Sequence, residues 1–190
     1  MGHPEKKDIS EAEYLEFERN ATEKHEYFQG EIFAMSGASF THNKIFANLF
    51  GALSSSLKGK PCQPFGSDLR TSISLNSLFA YPDISIICGE PEFTDDKFDT
   101  VKNPTVIIEI LSKSTRNYDL GGKFLLYKQI DTLKEYILID SEAIKLIKYF
   151  KNEDNSWLMT EVNSIESSFK LDSVKVEIQL KDIYENVKFI

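Results

Sequence analysis

Basic charge is what this sequence is short of. Its 190 residues hold 30 aspartates and glutamates against 22 lysines and arginines, a formal net charge of −8. That balance argues against a protein that coats nucleic acid through overall charge, though not against an enzyme meeting nucleic acid at one locally basic rim. Cysteine is scarce too. Only Cys62 and Cys88 occur, in no CxxC pair, which argues against structural zinc and against a disulfide framework. Cys62 lies in the loop-like Pro61-Cys62-Gln63-Pro64 and Cys88 ends an apolar run, so two reduced thiols are expected. No apolar run approaches the roughly 20 residues of a membrane-crossing helix. The polar start, Met1-Gly2-His3-Pro4-Glu5-Lys6-Lys7-Asp8, lacks the apolar core of a signal peptide. A cytoplasmic chain with no membrane partner is therefore expected. Repeats, low-complexity tracts and an interdomain linker are also missing, so a polar tail over 1–9 and a single domain over 10–190 are expected.

What is present is periodicity. Ser10-Glu11-Ala12-Glu13 reads as a capping box opening a short helix to about Arg19. The stretch from Tyr27 to Met35 alternates weakly around Gln29-Gly30, as a hairpin does. From Ser39 to Lys58 the spacing predicts a helix whose stripe is Ile45, Phe46, Leu49, Phe50, Leu53 and Leu57, stopped at Gly59 and kept stopped by Pro61 and Pro64. Asp68 to Leu75 alternates, with Leu69, Thr71, Ile73 and Leu75 on one face, and predicts a half-buried strand. Pro82 to Cys88 and Thr105 to Leu111 are nearly continuous apolar runs, the pattern of strands covered on both faces. Between them Gly89 to Asn103 reads as an acidic loop, a dimer arm, a gate or, the favoured reading, a long solvated hairpin. A second helix is expected over about Tyr118 to Ile130, then a strand from Glu135 to Asp140. Stretches from Ile144 to Phe150 and near Trp157 and Val174 predict an antiparallel continuation. The core order is α-β-β-β-α-β, in an α/β (α+β) domain with a mixed central sheet.

Glu109 is the conspicuous residue. It interrupts Val106-Ile107-Ile108-Glu109-Ile110-Leu111, whose composition calls for burial on both sides. An unpaired carboxylate there costs several kcal/mol unless a metal, a cation or a proton compensates it. The alternatives are a strand-end glutamate that reaches solvent, or one in a structural ion pair. Asp83 opens the neighbouring apolar strand after Tyr81-Pro82, a place where proline is tolerated. Two carboxylates on adjacent strand ends form a hard-cation site of the type magnesium favours. On the second helix Asp119, Lys123 and Tyr127 recur every fourth residue and share one face. Lys123 can reach over the Glu109 strand, or it forms an ordinary surface pair with Asp119.

Together, Tyr81-Pro82-Asp83-Ile84, the run from Val106 to Thr115, Asp119 through Lys123 to Tyr127, and Glu135-Tyr136-Ile137-Leu138-Ile139-Asp140 resemble the Uma-type restriction endonucleases of the PD-(D/E)XK nuclease superfamily. Glu26-Tyr27-Phe28-Gln29-Gly30-Glu31, with Met35-Ser36-Gly37 and His42, is similar to that family's N-terminal signature; the match spans about residues 10 to 150. The resemblance implies a restriction-endonuclease-like fold and a metal site of Asp83, Glu109 and the Ile110 carbonyl, holding Mg2+ or Mn2+. It also implies that the catalytic lysine has migrated to Lys123, since Leu111 occupies the superfamily's usual lysine position. Two residues depart from the family pattern: Lys113 stands where proline is usual and Ile137 where tryptophan is usual.

Further members are softer. Glu31 is a third acidic candidate or a solvent-facing hairpin residue. His42 orients water, contacts phosphate or is merely a polar helix-start residue. Asp68 accepts bonds within the site or, as its polar strand face favours, meets solvent. His25 and Glu26 have no assigned place. Lys113 and Arg116, directly after the Glu109 strand, are candidates for gripping substrate phosphates. The implied activity is metal-dependent hydrolysis of nucleic acid, with DNA the expected substrate and a homodimer the expected assembly. The alternative is a non-catalytic nuclease-fold module in which Glu109 and Lys123 form a structural pair.

Overall fold

The computed structural model describes residues 3–6, 8–113 and 116–189. Helix α1 (Glu11–Asn20) starts at the expected capping box. The Glu13 N–H donates to Ser10 Oγ at 3.3 Å and the Ser10 N–H to Glu13 Oε2 at 2.8 Å, satisfying two otherwise orphaned donors reciprocally. Strands β1 (His25–Phe28) and β2 (Glu31–Ala34) form the expected hairpin, turned by Gln29 and Gly30 at φ of +47° and +89°. Two left-handed residues are what a two-residue turn matched to strand twist needs. Helix α2 (Phe40–Leu57) follows, with Ile45, Leu49, Leu53 and Leu57 buried. Each contributes about 1.5–3 kcal/mol on burial, which fixes the helix against the sheet.

The remaining strands are β3 (Cys62–Gly66), β4 (Arg70–Ile73), β5 (Leu78–Ala80), β6 (Ile84–Cys88), β7 (Thr100–Val101), β8 (Val106–Leu111), β9 (Glu135–Asp140), β10 (Leu146–Lys151), β11 (Trp157–Val162), β12 (Ser168–Leu171) and β13 (Val176–Gln179). The central sheet runs β11-β10-β9-β8-β6-β3, mixed because only β8 and β9 pair in parallel. Its β8 strand explains the unbroken apolar run. Val106, Ile108 and Ile110 join the core under α2, β12, β13 and α4 (Leu180–Ile183), while Ile107 and Leu111 join the core on the opposite face. That second face is covered by Tyr127, Ile130 and Leu133 and by Ile73, Leu78 and Ala80 of β4 and β5. Period-two alternation puts Glu109 on the second face, with Ile107 and Leu111. A five-stranded sheet, β2-β1-β5-β4-β7, closes that side.

The structure revises four expectations. The first core strand is β3, through Pro61-Cys62-Gln63-Pro64, and the Asp68–Leu75 segment goes to the other sheet. Proline is admissible in β3 because that strand is the sheet's edge. The alternation from Asp68 to Leu75 also misleads: β4 is buried throughout, Arg70 included, while Leu75 is 79% exposed in a short 3-10 turn, Ser74–Asn76. Arg70 is tolerated there because its guanidinium donates to Thr100 Oγ1 at 2.8 Å and to Tyr81 Oη at 2.9 Å and meets Asp99 at 3.1 Å. The 89–103 loop is no free solvated hairpin. It carries β7, bridges Phe93 to Val101, and is fastened by Arg19 to Asp95 at 2.6 Å and Asp99 at 2.7 Å. Finally, Cys62 and Cys88 stand directly opposite each other on β3 and β6 and are joined by a disulfide, in place of two free thiols. Spacing along the chain says nothing of that pairing; the antiparallel register creates it.

Candidate active site

The strand register builds the site. β6 and β8 pair with Ile84 opposite Ile108, so one step back along β6 brings Asp83 beside Glu109. The Asp83 N–H donates to Glu109 Oε2 at 3.3 Å, and Asp83 Oδ2 accepts the Ile110 N–H at 2.7 Å. From α2, the first-turn His42 brings its Nε2 to Asp83 Oδ1 at 2.9 Å, while its own N–H is capped by Ser39 Oγ at 3.1 Å. Both oxygens of Asp83 are thus oriented by protein.

On the covered side of Glu109 stands the segment expected as a plain helix. It is a π-helical turn, Tyr118–Lys123, followed by a short helix α3 (Phe124–Tyr127). Wide turns of this kind concentrate at functional sites. Gly122 permits this one, because a Cβ there would lie 2.8 Å from the Tyr118 ring. Lys123 and Tyr127 converge on one oxygen, Glu109 Oε1, with Lys123 Nζ at 3.0 Å and the Tyr127 hydroxyl donating at 3.1 Å. Lys123 also meets Glu26 Oε1 of β1 at 3.0 Å and Asp119 Oδ1 at 3.6 Å. Glu109 and Lys123 are 4% and 6% exposed, so the pair is buried and the surface alternative falls away.

Four carboxylates, from Glu26, Asp83, Glu109 and Asp119, therefore crowd around one lysine and one imidazole. Burial pushes the Glu109 carboxyl up to about 8; Lys123 opposes that rise, and Asp119, Asp83 and Glu26 add to it. Burial pulls Lys123 down, but Glu109, Glu26 and their neighbours more than reverse it, and its ammonium is held well above the ordinary lysine range. A second cation would relieve the excess negative charge. The donors suit a hard one: carboxylate oxygens from two adjacent strands, Asp83 just before β6 and Glu109 within β8, facing a cavity of about 1080 Å³ that Asp83, Glu109, Ile110 and Lys123 help line. Among the described residues no three His, Cys, Asp or Glu side chains already stand grouped to hold a metal. A bound ion would draw on backbone oxygen and water as well.

Comparisons with known proteins give the family and the fold. A family model described as "Putative restriction endonuclease", Uma2, matches residues 11–181. The chain belongs to the Uma2 family. Two proteins of Synechocystis sp. (strain ATCC 27184 / PCC 6803 / Kazusa), both called uncharacterized, are similar over nearly their whole length. The protein sll1609 is 38% identical, over 88% of this chain and 95% of its own, and slr1290 is 34% identical, over 95% and 94%. A solved structure from Anabaena variabilis ATCC 29413, described as "a putative nuclease belonging to DUF820", superposes with a TM-score of 0.75 at 17% identity. It covers 93% of this chain and 97% of the other, and the fold is therefore nuclease-like.

Within the Uma2 frame, Asp83, Glu109, Lys123, Tyr127 and His42 come together, and the Ile110 backbone lies against Asp83. Glu31 does not join them: it sits half-buried on β2 opposite Phe28 and does not line the cavity. The acidic residue that reaches Lys123 from the hairpin is Glu26, on β1. Its signal in the sequence is alternation with Phe28, which packs toward the same core as Tyr127. Asp119 is the other residue the sequence undervalued, a buried member of the cluster. Asp68 points to solvent, with its side chain 96% exposed, and pairs with Lys24 at 2.5 Å. Lys113 is exposed on the cavity rim, whereas Arg116 is engaged by Asp140 and by Glu142 at 3.0 Å. Ser114 and Thr115 of the quoted motif lie outside the described residues.

Proposed function

We propose that this chain is a metal-dependent endonuclease that hydrolyses phosphodiester bonds of nucleic acid, DNA foremost, through a PD-(D/E)XK-type site. The observation that carries the reading is the Asp83–Glu109 pair on adjacent strands, facing one cavity with Lys123 buried against it. Asp83, Glu109 and the Ile110 carbonyl would hold Mg2+ or Mn2+, which when bound polarises the phosphoryl oxygen and acidifies a water. The protein's own part is positional and electrostatic. The Ile110 N–H and His42 fix the Asp83 carboxylate, and Tyr127 fixes that of Glu109. Lys123 contributes positive charge where the pentavalent transition state gathers negative charge. Lys113, on the rim, is placed to meet a substrate phosphate; Arg116, held by Asp140 and Glu142, is less free to do so.

The test is calorimetric titration of Mg2+ and Mn2+ into wild type and Glu109→Gln, followed by cleavage assays on nucleic acid. Binding and cleavage in wild type, both lost in the folded variant, are expected. Cleavage that survives in Glu109→Gln or in Asp83→Asn would sink the assignment. The reading also carries a cytoplasmic location and a homodimer that cuts both strands; a monomeric elution volume at micromolar concentration contradicts the latter.

One observation favours a second reading, a nuclease-fold binding or assembly module without catalysis. Every oxygen of Asp83 and Glu109 already has a protein partner, and Lys123 is ion-paired to Glu109. In that case neither ion binds and the thermal midpoint does not move when either is added, since a ligand of the folded state alone must raise it.

A further inference from the structure

The catalytic reading accounts for the floor of the cavity and leaves one wall unexplained. That wall is the loop from Met35 to Ser39 and the first turn of α2, whose Met35, Ala38, Phe40 and Phe46 all line the cavity. Phe46 is half-buried and stacked on Phe50 at 5.3 Å between ring centroids. Phe40 is different. It is 84% exposed, more than Leu75, Phe98, Leu125, Leu158, Met159 or Phe189, and of these exposed large apolar side chains it alone lines the cavity. The bare ring shares this cavity with His42, Asp83 and Glu109, and His42 Nε2 lies 2.9 Å from Asp83 Oδ1. A phenyl ring left in water forgoes the stabilisation that burial gives.

The charges of the lining add a second observation. Its lysines are Lys24, Lys113 and Lys123, set against Glu23, Asp83, Glu109, Asp119 and Glu142. Lys24 is ion-paired to Asp68 and Lys123 to Glu109. A cavity so poor in free cations is badly equipped to hold a strand by its phosphates alone, and affinity must come partly from bases. Inside a closed duplex both faces of each base are covered by their neighbours, so an aromatic ring at the rim can take only a base that is out of the stack.

We propose that Phe40 is a stacking platform for an unpaired base next to the scissile phosphate, and that the substrate is accordingly a single-stranded segment in preference to closed duplex. This rests on the nuclease reading and specifies its substrate. The test uses the full chain with Ca2+ in place of Mg2+, and a fluorescein-labelled 15-nucleotide DNA single strand or the same strand in blunt duplex, read by anisotropy. Wild type binds the single strand more tightly than the duplex. Phe40→Ala weakens single-strand binding by roughly 5- to 100-fold and leaves duplex binding unchanged. Phe40→Trp, placed in a Trp157→Phe background so that it is the only tryptophan, keeps the affinity, and its fluorescence is quenched by the single strand. Equal single-strand binding by wild type and Phe40→Ala, or a wild-type preference for duplex, overturns this inference alone. Wild type that binds neither form overturns the nuclease reading with it.

Discussion

Lys123 is where the charge balance of the site turns. Its ammonium lies within 3.0 Å of Glu26 and Glu109 and 3.6 Å of Asp119, all of them buried. Removing one partner of a buried pair leaves the other uncompensated, which costs about 3–5 kcal/mol, whereas removing both is far milder. Lys123→Met should therefore lower the unfolding free energy by about that amount in urea titrations, and adding Glu109→Gln should restore much of it. A single variant as stable as wild type would mean that the cluster is hydrated and the lysine dispensable to the fold. The contrast with Lys148, which pairs with buried Glu135 at 2.9 Å near the far end of β9, is instructive. That second pair lies away from the cavity, so burial of a lysine by itself does not mark the working site.

At the scale of elements, the 89–103 segment is held by ion pairs as well as by the pairing of β7 with β4 and the burial of Val101. Asp99 anchors it, its carboxyl held down at about 2 against an ordinary 3.8, chiefly by the Arg19 guanidinium. A depressed carboxylate stabilises the fold fully above its unfolded value, and the contribution is lost as pH falls through the folded one. Asp99→Asn should thus lower the thermal midpoint at pH 6, with the gap to wild type closing between about pH 4 and pH 2. A gap that stays constant down to pH 2 would show the anchor to be something other than this charge. Elements whose patterns report a single environment were legible in the sequence: α1, the hairpin, α2, β6, β8 and β9 fall where periodicity puts them. The misreadings have a shared cause. β3 hides its strand character behind Pro64, which only an edge tolerates, β4 buries an arginine among polar partners supplied from distant segments, and the π turn depends on a ring packing against Gly122. Each depends on neighbours remote in sequence. The candidate site's clustering was legible for the same reason in reverse, because Glu109 and Asp83 stand out against apolar runs, while Glu26 has only its alternation with Phe28 in a four-residue strand to signal its burial.

At the scale of the whole molecule, two sheets share one core face, and each ends in edge strands: β11 and β3 in the central sheet, β2 and the two-residue β7 in the other. β2 is the edge of the five-stranded sheet. Its outer side is taken by the first residues of the chain, where the Glu5 N–H donates to the Ile32 carbonyl at 2.8 Å, the Ile32 N–H to the Lys6 carbonyl at 3.0 Å and the Ile9 N–H to the Gly30 carbonyl at 3.0 Å. The segment that reads as a polar tail is thus a selvedge, finishing a hem that would otherwise fray into its neighbours. Deleting residues 1–9 should leave the cavity residues in place yet make the protein self-associate with rising concentration, visible as growing particle size in light scattering. A truncated chain that stays the same size across that range would mean that β2 keeps itself apart without help. Where a purification tag is fused at this end, the same logic makes its linker part of the sheet's margin, and colloidal behaviour becomes a property of how the chain is begun.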